Sequence, residues 1–199
     1  MNVQALSDVV RAFLVLEGGV WADATVLPSV PLDDWLSSAV GEAGFFAFAN
    51  PGPDRPLSSW FLASTPGNQL VAKWYREVEI FWSKPRVLAE YNGQIIPPNP
   101  VASVSANGGA KTNKYPYFWF HYLFDLLCDT DADSARRWKA CTKISADAPH
   151  RLQNFFNESD QPVREVVAQM LRAAPVHKLN LETDSLSLNR MGISKSVGL

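Results

Sequence analysis

The chain has 199 residues, the length of one domain with a substantial core, and 47% of them are hydrophobic. Its formal net charge of −2 gives no support for nucleic-acid binding, which usually needs a basic face. Two cysteines are too few for a disulfide framework, and no apolar run reaches membrane-spanning length, so we expect a cytoplasmic protein.

Residues 6–19 begin the most informative part of the chain. Apolar side chains recur at helical spacing over residues 6–16, which predicts an amphipathic helix. Gly18 and Gly19 follow, and glycine commonly ends a helix because it accepts the left-handed backbone conformation. Asp8 and Arg11 lie three residues apart and therefore share a face of this helix.

A short strand is predicted directly after the glycines, over residues 20–22, which are bulky and β-favouring. Asp23 and Thr25 follow it and alternate with Ala24, so both polar side chains should point to the same side. Ligands of open α/β sheets usually bind where a strand ends. This strand end is therefore a candidate site for a sugar nucleotide and its metal.

The central part of the chain predicts a pair of strands and a helix. Residues 44–49 and 58–64 have strand character and are separated by the turn-rich residues 50–54. Thr65 and Pro66 predict the cap and first position of a helix that runs to about residue 84.

The C-terminal half predicts an alternation of helices and loops. A Pro-, Gly- and Asn-rich stretch at 97–116 predicts a long loop of the kind that can close over a site. The other predicted elements are helices over 117–127, 133–140, from 147 or 149 onward and from 160–162 to about 173, a strand over 176–179, and a polar tail.

Several motifs together resemble a known family. They begin with S-D-x-x-R at 7–11, G-G-V-W-x-D-A-T at 18–25 and P-L-D-D-W at 31–35. The likeness continues in order through residues 45–48, 54–61, 67–68, 118–125, 144–150 and 175–179. This ordered set resembles the DXD-type sugar transferases, and within them the capsular polysaccharide synthesis branch.

The resemblance implies an α/β fold of the GT-A-like, Rossmann-like type, with a mixed sheet flanked by helices. It also implies a glycosyltransferase that moves a hexose from a UDP-linked sugar to a growing capsular or other surface polysaccharide, with retention. The acceptor would be a glycan or lipid-linked glycan, and the protein would associate peripherally with membrane-bound assembly. We expect one domain over 1–180 and a tail over 181–199. Relatives place a nucleotide-binding segment before S-D-x-x-R, so we expect the domain to be incomplete at its N-terminus.

The same resemblance implies roles on the donor side for Asp8, Arg11, Asp23 and Thr25. Asp23 matches the first acid of the D-x-D motif and is the catalytic candidate. Thr25 stands where many relatives carry the second acid. With His177, these two residues would hold Mn²⁺ or Mg²⁺, since oxygen ligands suit those ions and the ion would neutralise the leaving diphosphate. A threonine adds no charge, so we predict weak metal binding without donor phosphates.

Each of these residues also has a simpler interpretation. Asp8 and Arg11 would form a surface ion pair worth tenths of a kcal/mol. Asp23 would be a turn-forming acid, and His177 a strand histidine with local hydrogen bonds. His121 lies in an aromatic run and is interpreted as a core histidine.

The acceptor-side candidates are Asp54, Arg55 and Trp60, to which the resemblance adds Asp147 and His150, because the matching position in relatives lies near the acceptor. An aromatic face can stack on a sugar ring, and carboxylates can accept hydrogen bonds from its hydroxyls. The sequence leaves open that Trp60 is a core-strand residue and that Asp147 only caps a helix.

Two other functions fit parts of the sequence. A non-catalytic carbohydrate-binding or scaffold protein would keep the acceptor groove without turnover. A metal-dependent hydrolase of sugar phosphates would need more acidic ligands than Asp23, because Asp33 and Asp34 are explained as a turn and cap, and it ranks last.

Overall fold

The computed structural model of the chain describes residues 1–89, 97, 99–105, 113–158 and 164–180. These residues form a mixed α/β structure, as predicted, and divide into two compact units. The first unit comprises residues 1–21 and 39–144, and the second comprises residues 22–38 and those from 145 onward.

The N-terminal helix and its glycine stop are confirmed. Helix α1 spans Val3–Leu16, and the Asn2 side chain caps it by accepting a 2.8 Å hydrogen bond from the backbone N–H of Ala5. Gly18 then adopts a φ of +93°, which turns the chain into strand β1, Gly19–Ala22.

A long antiparallel hairpin forms the centre of the first unit. Strand β3, Phe45–Gly52, pairs with β4, Arg55–Ser64, which also pairs with β1 in a sheet of order β1-β4-β3. The prediction of a five-residue loop at 50–54 is wrong. Irregular register after Ala47 and a left-handed Asn50 (φ +53°) let the strands continue to a tight turn at Pro53 and Asp54.

The hairpin is buried on both faces. Phe45, Ala47 and Leu62 belong to the main hydrophobic core. Phe46, Phe48, Trp60 and Phe61 form a second aromatic group, in which the rings of Phe48 and Trp60 stack at a centroid distance of 4.9 Å. The near-continuous apolar sequence of these strands is the signature of such double-sided burial.

Three further helices cover the main core together with α1. They are α3 (Gln69–Trp82), α4 (Trp119–Thr130) and α5 (Ala132–Ala140). Trp74 of α3 stacks on Phe120 of α4 with a centroid distance of 4.0 Å, and its indole N–H donates to the Phe120 carbonyl. The aromatic residues predicted for the core therefore pack α3 against α4.

The predicted start of α3 is wrong by three residues. Thr65 and Pro66 precede Gly67, whose φ of +71° interrupts any helix there. Asn68 is the actual cap, and its side-chain oxygen accepts hydrogen bonds from the backbone N–H groups of Leu70 and Val71.

The stretch predicted as a long loop is only partly described. Strand β6, Lys114–Tyr115, lies within it and pairs in parallel with β5, Val87–Leu88, which the sequence did not predict. The two cysteines also belong to the first unit: Cys128 is half-buried on α4, and Cys141, just after α5, is buried. Both are free thiols.

The second unit combines a two-stranded sheet with two helices. Strand β2, Val26–Pro28, pairs antiparallel with β7, Val176–Lys178, and the helices are α6 (Asp147–Glu158) and α7 (Arg164–Arg172). Their core contains Leu152, Phe156, Val167 and Leu179.

Several boundaries around these elements differ from the predictions or lie outside the described residues. Leu32–Asp34 form a 3-10 turn before α2, Leu36–Val40, which spans residues of both units. The predicted helix start at 160–162 and the tail at 181–199 are outside the described residues. Among the helices that the structure describes, none is both long and apolar enough to cross a membrane.

Candidate functional site

Asp8 and Arg11 form a buried ion pair. The Arg11 Nε lies 3.4 Å from the Asp8 Oδ1, and the two residues are only 7% and 8% exposed, respectively. The Arg11 Nη1 donates to both the carbonyl and the hydroxyl of Ser59, each at 2.8 Å, and its guanidinium lies 5.2 Å from the Trp21 ring centroid. A surface ion pair, the simpler interpretation, is therefore wrong, because both residues are buried and Arg11 joins α1 to β4.

Asp54 and Arg55 are held at the turn of the hairpin. The Arg55 Nε donates to the Asp54 Oδ1 at 3.1 Å, and the buried Tyr122 hydroxyl donates to the Asp54 Oδ2 at 2.6 Å. The Arg55 guanidinium lies 3.6 Å above the Phe118 ring centroid. Gly52 leaves room for it, because a Cβ there would lie 2.3 Å from the Arg55 Nη2.

These two residues line an open cleft of about 570 Å³. Asp125, on α4, lies on another wall, and its carboxylate has no cationic or hydrogen-bonding partner among the described residues. Burial raises the pKa of the Asp125 carboxyl, and the nearby Asp129 charge adds to the shift. The cleft thus combines one paired and one unpaired carboxylate.

His121 is buried, and the positive charges of Arg55 and Arg11 both act on its imidazole. Burial lowers its pKa to about 3, with further lowering by the charges of Arg55 and then Arg11, so the imidazole is neutral. The Phe118 backbone offsets part of this lowering. His121 is therefore a core histidine, as its aromatic context predicts.

Asp23 and Thr25 lie in the second unit, where Lys178 contacts both. Its ammonium donates to the Thr25 hydroxyl and lies 4.0 Å from the Asp23 Oδ2. Asp23 and Thr25 follow the strand, as predicted, and both lie beside the same ammonium. The strand ends at Ala22, and a turn closed by the Val26 N–H and the Asp23 carbonyl follows.

His177 points away from that lysine. It neighbours Lys178 on β7, and successive side chains of a strand alternate in direction. Its imidazole is 0% exposed, its Nε2 lies 3.2 Å from the Leu171 carbonyl, and burial lowers its pKa. This is the locally bonded strand histidine that the sequence left open.

The residues expected to hold a metal therefore do not fit a resident Mn²⁺ or Mg²⁺. Asp23 supplies one carboxylate, the ammonium of Lys178 occupies its neighbourhood and that of Thr25, and His177 faces elsewhere. Across the described residues, no cluster of three or more His, Cys, Asp or Glu side chains could hold a metal ion.

The other acceptor-side candidates are placed as follows. Trp60 is only 6% exposed and stacks on Phe48, the core-strand position that the sequence allowed. Asp147 opens α6 in the second unit, where its backbone N–H donates to the Ser145 hydroxyl. His150 lies on the same helix, three residues on.

The structure thus brings together residues that the sequence treated separately. Arg11 from the donor set and Arg55 from the acceptor set both act on His121. Sequence reasoning missed Asp125 and Tyr122. The available signal was weak: Asp125 is the first acidic residue of α4, after five aromatic or apolar positions and one histidine.

The comparisons with known proteins give one finding on family. The sequence model of the family described as capsular polysaccharide synthesis protein matches residues 1–94 and 110–195. No curated protein and no solved structure matches the chain. The two matched segments contain the Asp8–Arg11 pair, the hairpin, α4 and β7.

Proposed function

Since the chain belongs to the capsular polysaccharide synthesis protein family, we propose that it is a glycosyltransferase of capsule biosynthesis. It would move a hexose from a UDP-linked sugar to a growing capsular or other surface polysaccharide, with retention at the anomeric carbon. The family match is the observation that carries this proposal, because it covers every predicted donor-side and acceptor-side residue.

On the donor side, the proposal assigns Asp8 and Arg11 to the sugar and ribose, and Asp23 and Thr25 to the diphosphate. Arg11 is supported by its rigid setting, since the bonds to Ser59 fix the plane of the guanidinium. A guanidinium held in one orientation binds a ligand without losing further side-chain freedom.

The divalent metal remains a prediction, and no step of the proposed mechanism depends on it. Asp23 and Thr25 offer a single negative charge, and Lys178 already balances it. Mn²⁺ or Mg²⁺ would therefore have to arrive with the donor diphosphate, whose oxygens would supply the missing ligands.

On the acceptor side, Asp54 and Arg55 are supported by their place in the wall of the cleft. The contribution of the protein is positioning, because holding two reactants in register removes much of the barrier of a bimolecular reaction. The acceptor would be a glycan or lipid-linked glycan, with the protein at the inner face of the membrane. A GT-A-like arrangement of the α/β elements is part of the same proposal.

A second function is favoured by the cleft itself. A non-catalytic carbohydrate-binding protein needs a polar groove and no donor site, and the cleft at the hairpin meets that requirement. The two functions differ in whether the chain binds a nucleotide sugar.

Calorimetric titration of a panel of nucleotide sugars, with and without Mn²⁺, tests the proposal. We expect one UDP-linked donor to bind, and Asp23→Ala to weaken that binding by about tenfold or more, since a lost charge contact contributes about 1.4 kcal/mol or more. Release of UDP in the presence of oligosaccharide acceptors then tests turnover.

The matched control is Asp33→Ala, which removes an exposed acid from the 3-10 turn of the same unit. It should bind the donor as the parent chain does. Absence of binding by every donor, or equal binding by Asp23→Ala and the parent, would contradict the transferase.

A further inference from the structure

We propose that the cleft at the β3–β4 turn is a subsite for an uncharged sugar residue of the acceptor, and that Asp125 excludes acidic sugars from it. This inference rests on the proposed function only in taking the bound sugar to be part of the acceptor. The binding itself depends only on residues of the first unit.

The shape and lining of the cleft suit a carbohydrate. Its volume of about 570 Å³ falls within the usual range of about 300–1,000 Å³ for small-molecule sites. Sugars present hydroxyls at the edges and C–H groups on the faces. The lining offers both kinds of partner: polar Asn50, Asp54 and Arg55, and apolar Pro53, Pro56 and Val101.

The polar groups of the wall are held in place before any ligand arrives. Both carboxylate oxygens of Asp54 are engaged, one by Arg55 and the other by Tyr122. Asn50, also in the lining, has a left-handed backbone (φ +53°) fixed by the irregular pairing of the hairpin. The wall therefore needs little rearrangement on binding.

The charge of the lining decides which sugars fit. Asp54 and Arg55 neutralise each other, whereas the Asp125 carboxylate has no cationic partner among the described residues. The described residues of the lining thus carry one net negative charge. A neutral sugar can donate hydroxyl hydrogen bonds to this carboxylate, whereas the carboxylate of a uronic acid would be repelled by it.

Matched pairs of methyl glycosides test the proposal in the full chain. The probes are the methyl glycosides of glucose, galactose and mannose and those of the corresponding uronic acids, measured by saturation-transfer NMR without nucleotide. We expect at least one neutral glycoside to bind about tenfold more tightly than its uronic acid partner.

Asp125→Asn should remove this discrimination. We expect it to bind the uronic acid within about threefold of the neutral glycoside, because the repelling charge is gone and an amide still bonds to hydroxyls. The control, Asp129→Asn, removes an equal charge one helical turn further along α4, outside the lining, and should keep most of the preference. Gly52→Ala places a Cβ against the Arg55 guanidinium and displaces it, so this variant should bind the neutral glycoside more weakly.

Three results would overturn the subsite: no signal from any neutral glycoside, equal binding of the acidic partners by the parent chain, or unchanged discrimination in Asp125→Asn. These results are independent of the donor titration. Sugar binding without any nucleotide-sugar binding would uphold the subsite and favour the carbohydrate-binding function. Donor binding without sugar discrimination would uphold the transferase alone.

Discussion

At the residue scale, Arg11 and Arg55 illustrate how tertiary packing changes what a local sequence pattern indicates. Asp8 and Arg11 at helical spacing predict a weak surface pair, yet tertiary packing places them against Ser59 of β4. Arg55 is similarly fixed by Asp54 and Phe118. The distant partners do not follow from local spacing, because Ser59 lies 48 residues from Arg11 and Phe118 lies 63 residues from Arg55.

The first prediction concerns the stability contributed by Arg11. Arg11→Met should lower the free energy of unfolding by about 3 kcal/mol, because it removes a buried guanidinium that contacts both the Asp8 carboxylate and the Ser59 carbonyl. Arg136→Met is the control, since that side chain is 75% exposed and its ion pair should contribute below about 0.5 kcal/mol. Urea unfolding measures both, and equal losses would contradict the buried pair.

His121 makes a second prediction, on acid sensitivity. Its folded pKa of about 3 lies below the unfolded value of 6.5, so the unfolded chain binds the proton first. Stability is therefore complete above pH 6.5 and falls by up to about 1.4 kcal/mol per pH unit as the pH drops towards 3.

His121→Gln should flatten that dependence between pH 6.5 and 4, measured as the free energy of unfolding against the parent chain. His177 has a lowered pKa from burial and acts in the same direction, so some dependence should remain. An unchanged slope in His121→Gln would show that the imidazole is not kept neutral by its surroundings.

At the element scale, substitutions at the two glycines after α1 can distinguish the cost of backbone strain from that of a steric clash. Gly18 and Gly19 both have positive φ, at +93° and +116°. A Cβ on Gly18 would lie 2.7 Å from the Pro66 ring, whereas a Cβ on Gly19 meets nothing within 4 Å. The third prediction is that Gly19→Ala costs about 1 kcal/mol, and Gly18→Ala at least about 1 kcal/mol more. Thermal unfolding compares them, and equal losses would exclude the Pro66 contact.

The elements also indicate where sequence reasoning succeeds. Periodicity and glycine punctuation located α1, α5 and β7 within a few residues, because these patterns are local. The start of α3 was wrong because a positive φ at Gly67 cannot be read from Thr65 and Pro66. The pairing of β5 with β6 was missed because each strand has only two residues and its partner is distant.

At the scale of the whole molecule, the ordered motifs predicted the family more securely than any single site. The family match spans both compact units, whereas the predicted site residues divide between them. Asp125 escaped prediction because its significance depends on the cleft, which is formed by the hairpin turn, α4 and residues 99–101. A cavity of this kind is a property of tertiary packing.

The fourth prediction is that the nucleotide-free chain binds Mn²⁺ only above about 1 mM, because Lys178 balances Asp23 and His177 faces the core. Calorimetric titration measures this affinity. Thr25→Asp combined with Lys178→Ala should bind Mn²⁺ more tightly than the parent, since it replaces the ammonium by a second carboxylate. Micromolar binding by the parent chain would contradict the assignment of Lys178.

The two cysteine thiols of the first unit can serve as native chemical probes of unfolding. Burial and the neighbouring Asp125 charge raise the pKa of Cys128 to about 12, and burial raises that of Cys141. Only the thiolate reacts with alkylating reagents, so both cysteines should be nearly inert in the folded chain and reactive once it unfolds. Pulsed iodoacetamide labelling followed by mass spectrometry would therefore time the exposure of α4 and α5 without any introduced probe.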